Sequence, residues 1–348
     1  MRLSTSLLAT TFLARHWTSD GLDRFSYKEN DSRGPEKWDD VDAKHNEWRE
    51  WKNLKAYKNK CGKEKNRQSP VDLVQNEDCR ADHEMLFSDG TCKFDDIIFE
   101  VTPYSLKGTF PIDKCTPPGL DLSDSFHERY VNTFEIKLPG EHTIDGKAYD
   151  GEIQFSHVVN VLDEHKSNRD HQVAMCARHI SGTKKKADKY IERFLKKWEE
   201  AADKHADKCQ ASGKGTISLA SIQRRQLRKQ ETQKERKLHK SLWTVAKKKR
   251  KKNPHDVLRQ PFKNQYYYGY KGSLTVPPCS DFVLWYIVDN PMDISPSQLR
   301  RLRDLIKDYM NDDCEKDTYA DENGNVNRPV QKKHKHNIFH CDKSDYKN

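Results

Sequence analysis

The 348-residue chain has few hydrophobic residues: they make up 34%, no more than the charged ones, and the mean hydropathy is −1.05. So polar a composition places part of the chain outside any core. Long apolar runs are missing too. Beyond a short run near the N-terminus, nothing approaches the ~18 consecutive apolar residues of a membrane span, which argues against a transmembrane segment. Paired C-x-x-C spacings are absent. The nine cysteines, at 61, 79, 92, 115, 176, 209, 279, 314 and 341, are scattered, which argues against a zinc ribbon and for disulfides. Nine is odd, so at least one thiol is free or pairs between chains. No internal repeat is present.

What is there is unevenly distributed. Between Arg224 and Lys252 stand 14 Lys/Arg and 2 Asp/Glu, a balance of +12 against +9 for the whole chain, so the remainder carries about −3. The basic character belongs to one segment, and it makes Arg224 to Lys252 the candidate surface for a polyanion or an acidic protein partner. Aromatics are too sparse there for a single-stranded nucleic-acid platform, so no nucleic acid is expected. Residues 1–14 combine one arginine with a short apolar run and read as a signal peptide. With the disulfides, this predicts a secreted or secretory-pathway protein, and it argues against reading "KKKRKK" (247–252) as a nuclear signal. Asn30-Asp31-Ser32 forms a glycosylation sequon.

Short alternating runs at 96–106, 130–138, 151–162 and 282–291 read as strands. In 184–208, Tyr190, Ile191, Phe194, Leu195, Trp198 and Ala202 recur at helical spacing on one stripe, which docks on the body of the domain. A second helical stretch covers about 218–252, and 295–310 reads as a helix capped by Ser295. The layout is mostly β (α+β). A single β-rich domain over 25–341 is interrupted by a helical, basic insertion at 183–252. Period-2 alternation aims Glu135, Lys137 and Gln154 from two strands into one site.

Three segments carry a resemblance. "GPEKW" (34–38) with "CGKEKNRQSPVDL" (61–73), "PGEHTIDGKAYDGEI" (139–153) and "YYYGYKGSLTVPPCSDFVLWYIVDNPMDISPSQL" (266–299) together resemble the α-class carbonic anhydrases, over about 25–177 and 254–341. The resemblance implies a large twisted, mainly antiparallel sheet with short peripheral helices. It also implies a zinc ion held by three histidines, two from an H-x-H strand and one from its neighbour, with an open position for a water whose pKa falls to about 7. In this chain those positions are Glu135, Lys137 and Gln154. A protonated ammonium has no lone pair and repels a divalent cation. One carboxylate and one amide oxygen do not make a tight zinc site, so no metal and no cofactor are expected. A one-residue slip would aim the whole set at the other face. His142 and His157 match outer-shell, structural positions.

Other family positions are kept. Thr275 matches the threonine that orients the zinc-bound hydroxide, Glu141 the glutamate that accepts its proton, and Glu152 an outer-shell carboxylate. Leu274, Val283 and Trp285 match the apolar pocket wall, where Ser156 replaces an aliphatic residue. No proton-shuttle histidine is placed. The resemblance also implies a Cys61–Cys279 bridge, and a Cys314–Cys341 bridge is expected to close the C-terminal extension. Lys137 is expected to substitute its charge for the missing cation. The sequence thus predicts a carbonic-anhydrase-related protein without the zinc histidines, inactive and serving as a binding or structural module. The alternatives are an active carbonic anhydrase with an unusual metal site and a polyanion-binding secreted protein.

Overall fold

The computed structural model describes residues 25–41, 59–62, 67–79, 85–122, 129–159, 173–214, 226, 266–331 and 336–345. The leader read at 1–14 and, Gln226 apart, the basic stretch at 224–252 lie outside them. The strands are β1 (Asp72–Leu73), β2 (Met85–Phe87), β3 (Ile98–Val101), β4 (Leu106–Thr109), β5 (Gly119–Leu122), β6 (Arg129–Lys137), β7 (Thr143–Ile144), β8 (Gly151–Val159) and β9 (Val173–Ser181). Helix α1 (Lys189–Ala211) follows, then β10 (Tyr267–Gly272), β11 (Val283–Asp293), helix α2 (Pro296–Lys307) and β12 (Phe339–Cys341). Ten strands form one sheet. Its main path runs β12-β10-β11-β9-β8-β6-β4-β3, with β5 joining β6 and β2 joining β5. Among the described strands only β9 and β11 pair in parallel within it, and β1 with β7 forms a separate two-stranded parallel pair.

Strand alternation divides the sheet into two unlike faces. On one, Phe134 and Ile136 of β6 lie beside Phe155 and Ile153 of β8, all fully buried. Phe134 stacks on Phe155 at 5.3 Å and meets Phe194 and Trp198 of α1 at 5.7 and 6.0 Å. Gly108 of β4 lies opposite Phe134, where a Cβ would fall 2.2 Å from the ring, so the close approach requires glycine. On the other face stand Glu135 and Lys137, paired in register with Gln154 and Glu152.

Helix α1 completes the apolar face. Asp188 caps it by accepting from the backbone N–H groups of Tyr190 and Ile191. Ile191, Phe194, Leu195 and Trp198 are buried, and Trp198 Nε1 donates to the Lys107 carbonyl at 2.8 Å. Arg301 of α2 clamps Glu192 and Glu199 of α1 at 2.8–3.0 Å. The stripe on this helix is therefore core, although its flanks are charged.

Two expectations need correction. The run read as one strand over 96–106 is a hairpin of β3 and β4. Pro103 cannot donate to a ladder, and the Thr102 hydroxyl bonds the Ser105 backbone to form the turn. Cys314 and Cys341 are not partners. Cys341 of β12 pairs with Cys79, because 76–79 runs beside β12, with Asn76 N–H donating to Ile338 O. Cys314 pairs with Cys209, because the loop after α2 sits against the end of α1, where His205 and Asn311 bond at 2.9 Å. Cys61–Cys279 is formed as expected, Cys92–Cys115 is a fourth bridge, and Cys176 is free and buried. No helix among the described residues is long and apolar enough to cross a membrane.

Candidate functional site

The polar face of the sheet gathers the three candidate positions and the retained carboxylates. Lys137 is 1% exposed. Its Nζ lies 3.5 Å from Glu135 Oε2 and over the rings of Tyr104 and Tyr27, at 5.0 and 5.9 Å from their centres. Among the described residues neither Nζ nor the Tyr27 hydroxyl closes a hydrogen bond within 3.5 Å. Burial opposes the charge on Lys137, yet the electrostatic pull of Tyr27, Glu135 and Glu141 outweighs it and holds the pKa above the usual lysine range. The side chain is an ammonium among acidic groups and π faces.

Gln154 is turned to other partners. Its amide nitrogen donates to Glu141 Oε2 at 2.8 Å and to Glu152 Oε1 at 3.0 Å. Glu141 also accepts from the Arg328 backbone N–H at 3.1 Å and interacts with the Thr275 hydroxyl. Burial raises the Glu141 pKa, with Lys137 pulling the other way. Glu152 is fully buried and accepts from the backbone N–H groups of Glu141 and His142 at 2.9 Å each. Burial works against its ionisation, but His142, joined to it by ring and backbone, together with His179 holds its pKa at about 2. His142 continues the chain to the Tyr270 hydroxyl at 2.7 Å, which donates to Ser69 Oγ at 2.8 Å. His142 is thus a satisfied core residue. So is His157, whose Nδ1 bonds the Phe155 and Ala174 carbonyls and whose pKa burial depresses to about 3.

Three of the four wall positions share one cluster. Leu274, Val283 and Trp285 belong to one buried apolar cluster with Ala177 and Ile287, and Trp285 Nε1 donates to the Ser273 carbonyl at 2.8 Å. Ser156, 6% exposed, faces Thr133 across β6–β8 and Met175 across β8–β9, and its Oγ has no hydrogen-bond partner among the described residues. Asn30 is exposed on a turn with φ 63°. Four residues at the site were not read from the sequence. Tyr27, Tyr104 and Arg328 reach it from segments far apart in the chain, and Tyr270 reaches it through His142. Arg328 bonds Ser69 O and Gln68 Oε1 at 2.7 and 2.9 Å and lies 5.5 Å over Trp38. No single-sequence signal marks Tyr27 or Tyr104.

Zinc requires three or four lone-pair donors converging on one point. Here one position is a buried ammonium, and the amide at another is committed as a donor to two carboxylates. Among the described residues no group of three or more His, Cys, Asp or Glu is placed to hold a metal ion. The residues present do not fit zinc.

The sheet and its polar face define the α-carbonic anhydrase fold. The α-carbonic anhydrase from Thermovibrio ammonificans superposes over 92% of this chain and 100% of its own, with a TM-score of 0.53 and 20% identity. In sequence, residues 204–342 match the family described as eukaryotic-type carbonic anhydrase. The carbonic anhydrase-related protein of Homo sapiens is 43% identical over 58 residues, 16% of this chain and 20% of that protein. Putative carbonic anhydrase 5 of Caenorhabditis elegans is 47% identical over 45 residues, 13% of this chain and 14% of its own. The aligned stretch spans no more than a fifth of either curated relative. The chain has the α-carbonic anhydrase fold, and its sequence is similar to that family over its C-terminal part.

Proposed function

We propose that this is a carbonic-anhydrase-like protein whose zinc site is lost, that it does not hydrate carbon dioxide at an enzymatic rate, and that it works as a binding or structural module. The observation that carries the reading is Lys137: a buried ammonium, 3.5 Å from Glu135, stands where the family would have an imidazole. Its charge opposes the binding of a divalent cation, and Gln154 spends its amide on Glu141 and Glu152. The family's route to hydroxide at neutral pH is a metal-bound water of lowered pKa. Four disulfides support a secretory or extracellular setting.

The competing enzyme reading, an active carbonic anhydrase with an unusual metal site, is separated by metal analysis of the purified chain together with a carbon dioxide hydration assay. Less than a tenth of an equivalent of zinc and no hydration above buffer is the expected result. Stoichiometric zinc with sulfonamide-sensitive turnover overturns the proposal. A second reading rests on the +12 balance of residues 224–252: this stretch binds a polyanion such as a sulfated polysaccharide. Retention on heparin that collapses when 224–252 is deleted supports it, and unchanged retention rejects it.

A further inference from the structure

The polar face encloses one side chain whose surroundings are built for a cation. Lys137 Nζ is almost wholly shielded from solvent and has a carboxylate, Glu135, at 3.5 Å. Two tyrosine rings face it at 5.0 and 5.9 Å, within the range at which aromatic π faces attract ammonium groups. Glu141, also buried, adds a further electrostatic pull. The contacts are of the kind that recognise alkylammonium ligands: soft, weakly directional and sized for –CH2–NH3⁺. Nζ closes no hydrogen bond within 3.5 Å among the described residues, and the Tyr27 hydroxyl is near enough to favour its charge as a side-chain partner.

We propose that the chamber formed by Tyr27, Tyr104, Glu135 and Glu141 is an alkylammonium-binding site that the chain fills with its own Lys137. The tethered ammonium is a built-in ligand, and its four-carbon stem is the plug that keeps other cations out. This deepens the reading of a lost zinc site and rests on it, because it names what now balances the carboxylates. A free small cation of matching shape is admitted only once the tethered one is removed.

The reasoning sets the probe. Lys137→Ala removes the three methylenes beyond Cβ and the ammonium, which together are an n-propylammonium ion. Thermal unfolding of Lys137→Ala and of the wild-type chain is followed while n-propylammonium chloride is titrated. 1-Propanol serves as a control for simple filling of space, and sodium chloride at equal ionic strength as a control for screening. The expected result is a lower Tm for Lys137→Ala that rises with n-propylammonium, by about 2 °C or more at ten times its Kd. The wild-type Tm stays flat. No selective rise, an equal rise with 1-propanol, or an equal rise in the wild-type chain overturns the proposal.

Lys137→Met covers the case in which the alanine variant does not fold. It keeps an unbranched side chain as far as Cε and removes the ammonium, so its Tm falls below wild type; a Tm equal or higher overturns the proposal. Zinc analysis of the same wild-type sample keeps the two readings apart. Bound zinc would sink the lost-site reading, whereas a failed rescue without zinc sinks the alkylammonium site alone.

Discussion

The two faces of strand β6 use the same backbone for opposite purposes. Phe134 and Ile136 point into a dry, aromatic layer closed by α1, while one residue on, Glu135 and Lys137 point into a chamber of charges and amides. On the apolar face a titratable group is forced neutral: His157 bonds the Phe155 and Ala174 carbonyls, and burial depresses its pKa to about 3. On the polar face a carboxylate equally buried stays ionised, because Glu152 has two backbone N–H groups and His142 beside it. Burial is the same in both; partners decide the charge state. The apolar face carries stability through contact area, and the polar face carries it through mutual satisfaction of groups that would be costly alone.

The largest effect that separates the faces is expected at Trp198. Trp198→Ala leaves a cavity under β6 and removes the indole hydrogen bond to the Lys107 carbonyl, for an expected loss of about 4 kcal/mol in chemical denaturation. A loss below about 1 kcal/mol would mean that α1 is an appendage, and the face it covers would not be the core. Next in size is the tether of that helix. Cys209→Ser with Cys314→Ser opens a bridge spanning 105 residues of sequence and is expected to cost about 3 kcal/mol. An unchanged denaturation midpoint would show that the Arg301 clamp and the Gln298 bonds fix α1 against α2 without the bridge.

These two tests touch features that differed in legibility. The stripe Ile191, Phe194, Leu195, Trp198 announces itself by helical spacing, and β6 and β8 by alternation, so both faces of the sheet were readable in outline. Glu135, Lys137 and Gln154 were readable as a set because strand parity aims them together and flanking "GEHTIDGK" sets the register. The partners of that set were not. Tyr27, Tyr104 and Arg328 converge from positions up to 301 residues apart, and nothing in local pattern encodes such contacts. The bridges show the same limit: Cys61–Cys279 followed from the family resemblance. Cys79–Cys341 and Cys209–Cys314 depend on which loops the finished sheet and helices bring side by side.

Acid sharpens the contrast in charge state. His157 is neutral when folded, with a pKa of about 3 against 6.5 for an ordinary histidine. Below about pH 6.5 the unfolded chain therefore binds a proton that the folded chain refuses, and stability falls as pH drops toward 3. Glu152 acts in a lower window. Its folded pKa of about 2 lies below the ordinary 4.5, so its contribution is full above about pH 4.5 and lost as pH falls through about 2. His157→Asn keeps a donor near the Nδ1 position and removes the titration. The expected result is that the wild-type chain loses about 2 kcal/mol more than this variant between about pH 6.5 and 4.5. Equal slopes would show that water reaches His157 and that the apolar face is not dry.

The smallest effect is the most informative about the polar face. The family resemblance puts Ser156 in the wall with Leu274, Val283 and Trp285; Ser156 faces Met175, which packs against their cluster, and its buried Oγ has no hydrogen-bond partner among the described residues. If the wall is only packing, Ser156→Val removes an unsatisfied hydroxyl and adds a β-branched side chain suited to a strand. The expected change is a gain of up to about 1 kcal/mol. A loss of that size instead would mean that the hydroxyl bonds something in solution, a water or a ligand seated on the polar face. That outcome would turn Ser156 from a defect in an inherited wall into a contact of the module's own binding site.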